Sequence, residues 1–438
     1  MKSQLIYKSI LAVAIFLVVS CKPEFKTITP SKGQADFTRY IAVGNSLTSG
    51  FADGGLYLEG QQNSFPDMIA TQMKSVGGGT FYTPFFDAGQ ADGSGYKKLT
   101  SLVDGNPVLT DVAPQAVRGQ VNVPGYGNVT LFTKYTGEIN NYGVPGIRLS
   151  LSTYAPYGNL NPYFERMLPG SAPMNNTSYL DFVTAKPFTF FSMWLGNNDV
   201  LGYATSGAAS AADAPTDKAT FTFLYNQVVS GLLKGGTGVT GAAKGVVATV
   251  PDVLSTPFFK TVTLASLLKA VQVSAPQVNA LYIRTGSGAV RAATDQDYFL
   301  LTLGSANVIG VPTGGVPYGL APQNPIESKW VLDMDEAAVI TDYTNAYNAT
   351  IRAAAAANDL ALVDAYALLK EYSTPRGVSG ITVSTAFITG NLFSLDGIHL
   401  TPLGYAIIAN EFIKAINAKY GSSIPGVDVS KYRGVKIP

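Results

Sequence analysis

The chain is built of short apolar runs, each stopped by glycine or proline, alternating with longer stretches of helical spacing. Arg39-Tyr40-Ile41-Ala42-Val43-Gly44 is one such run, and its length and glycine stop predict a buried strand. Phe188 to Leu195, ended by Gly196, predicts a central strand covered on both faces. Gly245 to Val250, stopped by Pro251, and Leu360 to Val363 predict two more, and Glu138 to Tyr142 is a further strand candidate. Between them, Asn63 to Met73 carries apolar residues at Phe65, Ile69 and Met73, with Asn63 as a cap and Pro66 in the first turn. Thr216 to Leu233 and Asp335 to Asn358 are also predicted helical, the latter packing through Ile340, Tyr343, Tyr347 and Ile351. Pro402 to Tyr420 is the closing helix, with proline where a first turn tolerates it. Strands alternating with helices predict an α/β fold, a mainly parallel sheet between two helical layers. Residues 74–137 and 255–328 are punctuated by Gly and Pro and are expected as insertions within one domain spanning 38–438. No internal repeat is visible.

Composition narrows the class. Hydrophobic residues make up 46 % of 438, enough for a large core, while charged residues are only 13 %. The formal net charge is +1 with no basic block, so nucleic acid is not an expected partner. The N-terminus carries Lys2 and Lys8 and then ten apolar residues, Ile10 to Val19, too short to span a bilayer comfortably. Val18-Val19-Ser20-Cys21 resembles a bacterial lipobox, which implies a signal peptide over residues 1–20, lipidation of Cys21 and a polar tether to residue 37. An uncleaved anchor with an incidental cysteine is the alternative. Cys21 is the only cysteine, so disulfides and thiolate metal clusters are ruled out.

The candidate chemistry is concentrated in a few places. His399 is the only histidine, and it lies in Ser394-Leu395-Asp396-Gly397-Ile398-His399. Imidazole alone among side chains has an unperturbed pKa near neutrality. A carboxylate three residues earlier can hold its Nδ1 and leave Nε2 free to take a proton. A surface histidine beside an aspartate would look the same. Far upstream, Val43-Gly44-Asn45-Ser46-Leu47-Thr48-Ser49-Gly50 places a serine just past the first strand, in the crevice where open α/β sheets bind ligands. The helix after it would aim its positive dipole end at that crevice. Asn141-Tyr142-Gly143-Val144-Pro145-Gly146 is a glycine-rich turn able to expose a backbone N–H, and Gly196-Asn197-Asn198-Asp199 can offer a side-chain amide. Read singly, these are ordinary turns.

Together, in this order and each at an expected strand end, they resemble the SGNH hydrolases, the GDSL-type lipases and esterases. That resemblance implies a three-layer α/β/α, flavodoxin-like fold and a serine hydrolase of carboxylic esters. It implies Ser46 as nucleophile, Asp396 and His399 as acid and base, and Ser46, Gly146 and Asn198 as oxyanion-hole donors. Thr249-Val250-Pro251-Asp252-Val253 resembles a further segment common in such proteins. One residue departs from the pattern: Asn45 stands where the family usually has Asp. No Gly-x-Ser-x-Gly occurs, so the α/β-hydrolase elbow is absent, and a single histidine excludes a His-Glu-x-x-His zinc site.

The expectation is therefore an ester hydrolase without cofactor or metal, lipid-anchored in a bacterial cell envelope and acting on short-chain or acetylated-glycan esters. Phe81, Tyr82, Phe85, Phe86, Tyr96 and Tyr126 in the first insertion could line a subsite or form that insertion's own core. The alternatives are a non-catalytic surface lipoprotein that binds glycan or lipid on the same scaffold, and a structural envelope protein.

Overall fold

The computed structural model of the chain describes residues 29–103, 106–238 and 241–438. The leader expected over residues 1–20, and Cys21, lie outside the described residues. Five strands form one sheet: β1 (Tyr40–Gly44), β2 (Asn141–Gly143), β3 (Phe190–Trp194), β4 (Lys244–Ala248) and β5 (Ala361–Val363). All neighbours run parallel in the order β5-β4-β3-β1-β2. The helices that frame the site are α1 (Ser46–Ser49) and α2 (Phe65–Met73), α3 (Asn198–Thr205) and α4 (Lys218–Leu233), α5 (Met334–Ala357) and α6 (Pro402–Tyr420).

Side chains alternate across a strand, and here that alternation builds two cores. Ile41, Val43, Phe191, Met193 and Val247 face one layer, where Phe221, Val228, Ile340, Tyr347 and Ile351 of α4 and α5 cover them. Tyr40, Ala42, Phe190, Trp194 and Val246 face the other, beneath Phe65, Ile69, Phe412 and Ile416 of α2 and α6. Most are essentially inaccessible to solvent, and each large aliphatic or aromatic side chain so buried contributes about 1.5–3 kcal/mol. The protein is an α/β fold of three layers.

Several boundaries differ from the sequence expectation. The second strand is Asn141–Gly143, later than expected, because its extent is set by pairing with Ala42, Val43 and Gly44 of β1. Asn63 does not cap α2; it closes the preceding helix, Leu58–Gln62, and Ser64 stands at the cap. Residues 29–37, expected as the end of the tether, lie against the domain. Ala35 and Phe37 are buried in the second core, and the Gln34 N–H donates to the Tyr420 carbonyl at 2.9 Å.

The stretch 74–137 holds two antiparallel hairpins, Tyr96–Val103 with Asn106–Val112 and Val117–Val123 with Gly127–Phe132. The second is fastened to the domain by Glu165, fully buried, whose Oε1 lies 2.8 Å from both Arg118 Nη2 and Lys134 Nζ. The stretch 255–328 is less loop-like than its glycines and prolines suggest. It contains a helix, Leu264–Gln272, opened by a Thr263/Ser266 capping box, and a small core of Leu281, Ile283, Phe299, Leu303 and Ile326, to which Val331 adds from just beyond it.

Candidate active site

The strand order reverses direction between β1 and β3, so the crevice at their carboxyl ends is the ligand site the topology favours. Ser46 sits there, the first residue of α1 and only 6 % exposed. Asn45 before it is buried, and its Oδ1 accepts the Leu47 N–H at 3.0 Å. The amide thus does the capping that an aspartate would do at this position, while its Nδ2 has no partner among the described residues. Because α1 is a single turn, its dipole is small. What the turn supplies is a free Ser46 N–H, which finds no acceptor among the described residues.

His399 and Asp396 come from a loop closed on itself: the Ser394 N–H donates to the His399 carbonyl at 2.8 Å, and Gly397 turns the chain at φ +72°. The His399 Nε2 is 2.8 Å from Ser46 Oγ, and its Nδ1 is 2.8 Å from Asp396 Oδ2. Since an ionised carboxylate only accepts, Nδ1 carries the proton and Nε2 offers a lone pair to the Ser46 hydroxyl. Asp396 Oδ1 also accepts the N–H groups of Ile398 at 2.9 Å and His399 at 2.8 Å. Burial alone would raise this carboxyl; the adjacent imidazole and these N–H donors outweigh it and hold the group well below the usual carboxylate range. The Phe51 ring lies against the imidazole, 4.6 Å between centroids, and is backed in turn by Tyr163.

Gly146 follows β2 at φ +81°, a left-handed conformation that glycine adopts without strain. It is exposed, and its N–H has no acceptor among the described residues. The peptide carrying that N–H is fixed from behind, because Asn161 Nδ2 donates to the Pro145 carbonyl at 2.8 Å. Asn198 opens α3, and its Nδ2 donates to the Ile147 carbonyl at 2.9 Å. The neighbouring Asp199 is fully buried and accepts the Leu149 N–H at 2.6 Å and the Thr216 hydroxyl at 2.6 Å. Burial pushes its carboxyl up to about 6, against the pull of these donors. The turn after β2 is therefore tied to the start of α3 by two consecutive side chains.

Ser46, Gly146 and Asn198 thus follow the carboxyl ends of the neighbouring strands β1, β2 and β3, with Ser46, His399 and Asp396 directly linked and Gly146 and Asn198 joined through one turn. Sequence reasoning missed the residues behind them: Phe51, Asp53, Asn161, Asp199 and Ser394. Of the aromatics singled out in the first insertion, Phe86 takes the second of the two expected roles and the others are dispersed. Phe86 packs in a small core with Leu56, Ala116 and Phe132, Phe81 stacks on Tyr40, Tyr96 stacks on Tyr57, and Tyr82 and Tyr126 are exposed. Among the described residues, no group of three or more His, Cys, Asp or Glu side chains gathers as a metal site, and no helix is long and apolar enough to cross a membrane.

Ser46, His399 and Asp396 are thus linked by hydrogen bonds at the switch point of a parallel sheet. The model of the GDSL-like lipase/acylhydrolase family matches residues 40–412, and the chain belongs to that family. It is an enzyme of the esterase and lipase type. No curated protein matches the sequence. Among solved structures, it is similar to an α/β hydrolase from the metagenome of Lake Arreo, Spain (10 % identity over 87 % of this chain and 96 % of that one, TM-score 0.37). It is also similar to a lipase/acylhydrolase from Enterococcus faecalis (10 %, 89 % and 100 %, 0.32) and to an extracellular lipase from Streptomyces rimosus (12 %, 87 % and 99 %, 0.34).

Proposed function

We propose that the protein cleaves short-chain carboxylic esters, including acetylated glycans, through a covalent acyl-enzyme. The Ser46 Oγ attacks the ester carbonyl as its proton passes to His399 Nε2, and Asp396 orients the imidazole and stabilises the imidazolium. The tetrahedral oxyanion is held by the N–H groups of Ser46 and Gly146 and by the Asn198 amide, one such donor being worth ~3 kcal/mol of barrier. His399 then returns its proton to the leaving alcohol, and water repeats the cycle on the acyl-enzyme. The observation that carries this reading is the 2.8 Å approach of the only imidazole in the sequence to the Ser46 hydroxyl.

Support for an apolar acyl group comes from a cleft lined by Leu47, Trp194, Leu368, Tyr372 and Ile398. Leu47 and Ile398 are the chain neighbours of Ser46 and His399. The lipobox-like Cys21 supports attachment to the bacterial envelope by a lipid, where glycan and membrane esters are within reach.

The test is hydrolysis of p-nitrophenyl acetate and butyrate by the purified full-length protein, with fluorophosphonate labelling. Ser46→Ala and His399→Ala should each lose at least about a thousandfold in kcat, and only proteins with an intact Ser46 should label. Wild-type turnover by Ser46→Ala rules the mechanism out. Ligand retention without labelling or turnover would favour the non-catalytic binder.

A further inference from the structure

Behind Asp396 lies a second buried carboxylate that the mechanism above does not use. Ala52-Asp53-Gly54-Gly55 is a tight turn, closed by the Ala52 N–H on the Gly55 carbonyl at 3.0 Å and the Gly55 N–H on the Ala52 carbonyl at 2.9 Å. Both central residues have positive φ, +55° at Asp53 and +79° at Gly54, the pattern of a type I′ turn. Aspartate is among the few non-glycine residues that enter this region readily. The turn points two successive N–H groups at the histidine loop: Asp53 donates to Ser394 Oγ at 2.9 Å and Gly54 to Asp396 Oδ2 at 2.9 Å. Ser394 Oγ in turn reaches Asp396 Oδ1 at 3.2 Å.

The Asp53 carboxylate completes the clasp. Its Oδ1 accepts the Leu395 N–H at 2.9 Å, and its Oδ2 accepts the Tyr57 hydroxyl at 2.7 Å. Asp396 has further donors, but those from Ser394, Ile398 and His399 belong to its own loop. Gly54 is the donor that comes from the segment carrying Ser46, 342 positions away in the chain. The loop's internal bonds fix its shape; its place is set from outside, by the Phe258 N–H on the Gly397 carbonyl at 3.0 Å on one side and, toward the nucleophile's own segment, by this clasp.

We propose that Asp53 is a positioning residue for the Ser46–His399–Asp396 relay. It touches no reacting atom. It holds the histidine loop against the nucleophile's own segment, so that His399 Nε2 stays within reach of the Ser46 hydroxyl and Asp396 keeps the Gly54 N–H. This inference rests on the serine mechanism proposed above.

The experiment measures kcat and KM for p-nitrophenyl acetate, and the NMR signal of the His399 Nδ1–H, in full-length wild type, Asp53→Ala, Asp53→Asn and Tyr57→Phe. One histidine in the sequence means one imidazole N–H pattern to follow. Asp53→Ala should lower kcat by about 10- to 100-fold, the scale of a displacement near 1 Å. KM should stay within about twofold, and the Nδ1–H resonance should move or broaden. Asp53→Asn keeps both the turn conformation and an acceptor for Leu395, so it should recover most of the rate. Tyr57→Phe removes only the support behind Asp53 and should give a smaller loss of kcat with the same unchanged KM. If Asp53→Ala does not fold, Tyr57→Phe and Asp53→Asn decide the matter, and wild-type kcat with an unmoved Nδ1–H signal in Tyr57→Phe overturns the proposal. So does a folded Asp53→Ala with wild-type kcat, or an Asp53→Asn protein no better than Asp53→Ala. Ser46→Ala is measured alongside. If it stays active, the serine mechanism fails; if it is dead while Asp53→Ala is unaffected, only the positioning role fails.

Discussion

Asn161 fixes the peptide that carries the Gly146 N–H: its Nδ2 donates to the Pro145 carbonyl at 2.8 Å. That carbonyl and the Gly146 N–H belong to one planar, trans peptide and point in opposite directions. Anchoring the oxygen inward therefore aims the hydrogen outward, on the exposed side of the turn, where the proposed oxyanion donor has to stand. Asn161 also caps a short helix, its Oδ1 accepting the N–H groups of Tyr163 at 2.9 Å and Phe164 at 3.0 Å. Asn161→Asp separates the two tasks, since it keeps the cap and replaces the donor with an oxygen that repels the Pro145 carbonyl. We expect kcat to fall about tenfold, less than outright loss of an oxyanion donor, with the melting temperature close to wild type. Full kcat in a folded Asn161→Asp protein would show that the Gly146 peptide needs no anchor.

Asn198, proposed above as an oxyanion donor, presents a sharper case, because its amide stands at the start of α3 and donates to the Ile147 carbonyl at 2.9 Å. An oxyanion forms only after attack, so its donor acts mainly on the transition state. Asn198→Ala should lower kcat by about a hundredfold and leave KM nearly unchanged. A rise in KM with kcat intact would mean that the amide binds ground-state substrate instead.

The sheet was legible because buried parallel strands are near-continuous apolar runs, and β1, β3 and β4 fall inside such runs. β2 was harder to place: three residues, Asn141-Tyr142-Gly143, carry no pattern of their own and become a strand by pairing with β1. The His399 loop was legible for the opposite reason, since Asp396 and His399 interact across three positions and local geometry suffices. Asp53, Asn161 and Ser394 were not. Each works through a partner set by the fold, as Asp53 does with Ser394 and Leu395 across 341 and 342 positions, and no spacing rule reaches so far.

Stability should depend on pH through the start of α5. Asp333 and Glu336 form a capping box there, Asp333 Oδ1 accepting the Glu336 N–H and Glu336 Oε2 accepting the Asp333 N–H, both at 2.9 Å. Burial pushes the Glu336 carboxyl up to about 7; the Asp333 N–H opposes this, and the charges of Asp333, Asp297 and Asp335 reinforce it. A raised folded-state value means that the native state holds a proton the unfolded chain has already released. The associated stability is fully present below about 4.5 and is lost as pH rises through 7. Asp67 and Asp199, pushed up by burial to about 6, act with the same sign at lower pH. Asp396, held below its usual range, acts oppositely, and its contribution is lost in strong acid. The melting temperature should therefore fall between about pH 4.5 and pH 7. Glu336→Gln keeps the acceptor for Asp333 and should flatten that fall, and a Glu336→Gln protein with the wild-type slope would refute the assignment.

The second hairpin of the first insertion should be held by one buried charge. Glu165 is fully buried, with Oε1 2.8 Å from Arg118 Nη2 on the hairpin and from Lys134 Nζ just beyond it. Removing one partner of a buried ion pair typically costs about 3–5 kcal/mol, because the other charge is left unpaired. The cost here should be smaller, since the Arg118 side chain is 34 % exposed and Lys134 keeps the Leu168 carbonyl at 3.0 Å. We expect Glu165→Ala to destabilise by roughly 2 kcal/mol in urea unfolding, after that discount for solvent. Proteolysis should accelerate first near residues 118–134, because Arg118 ties that hairpin to the domain through this carboxylate. An unchanged unfolding midpoint would mean that the hairpin is held by its apolar contacts, Leu131 and Phe132 among them, and not by the charge.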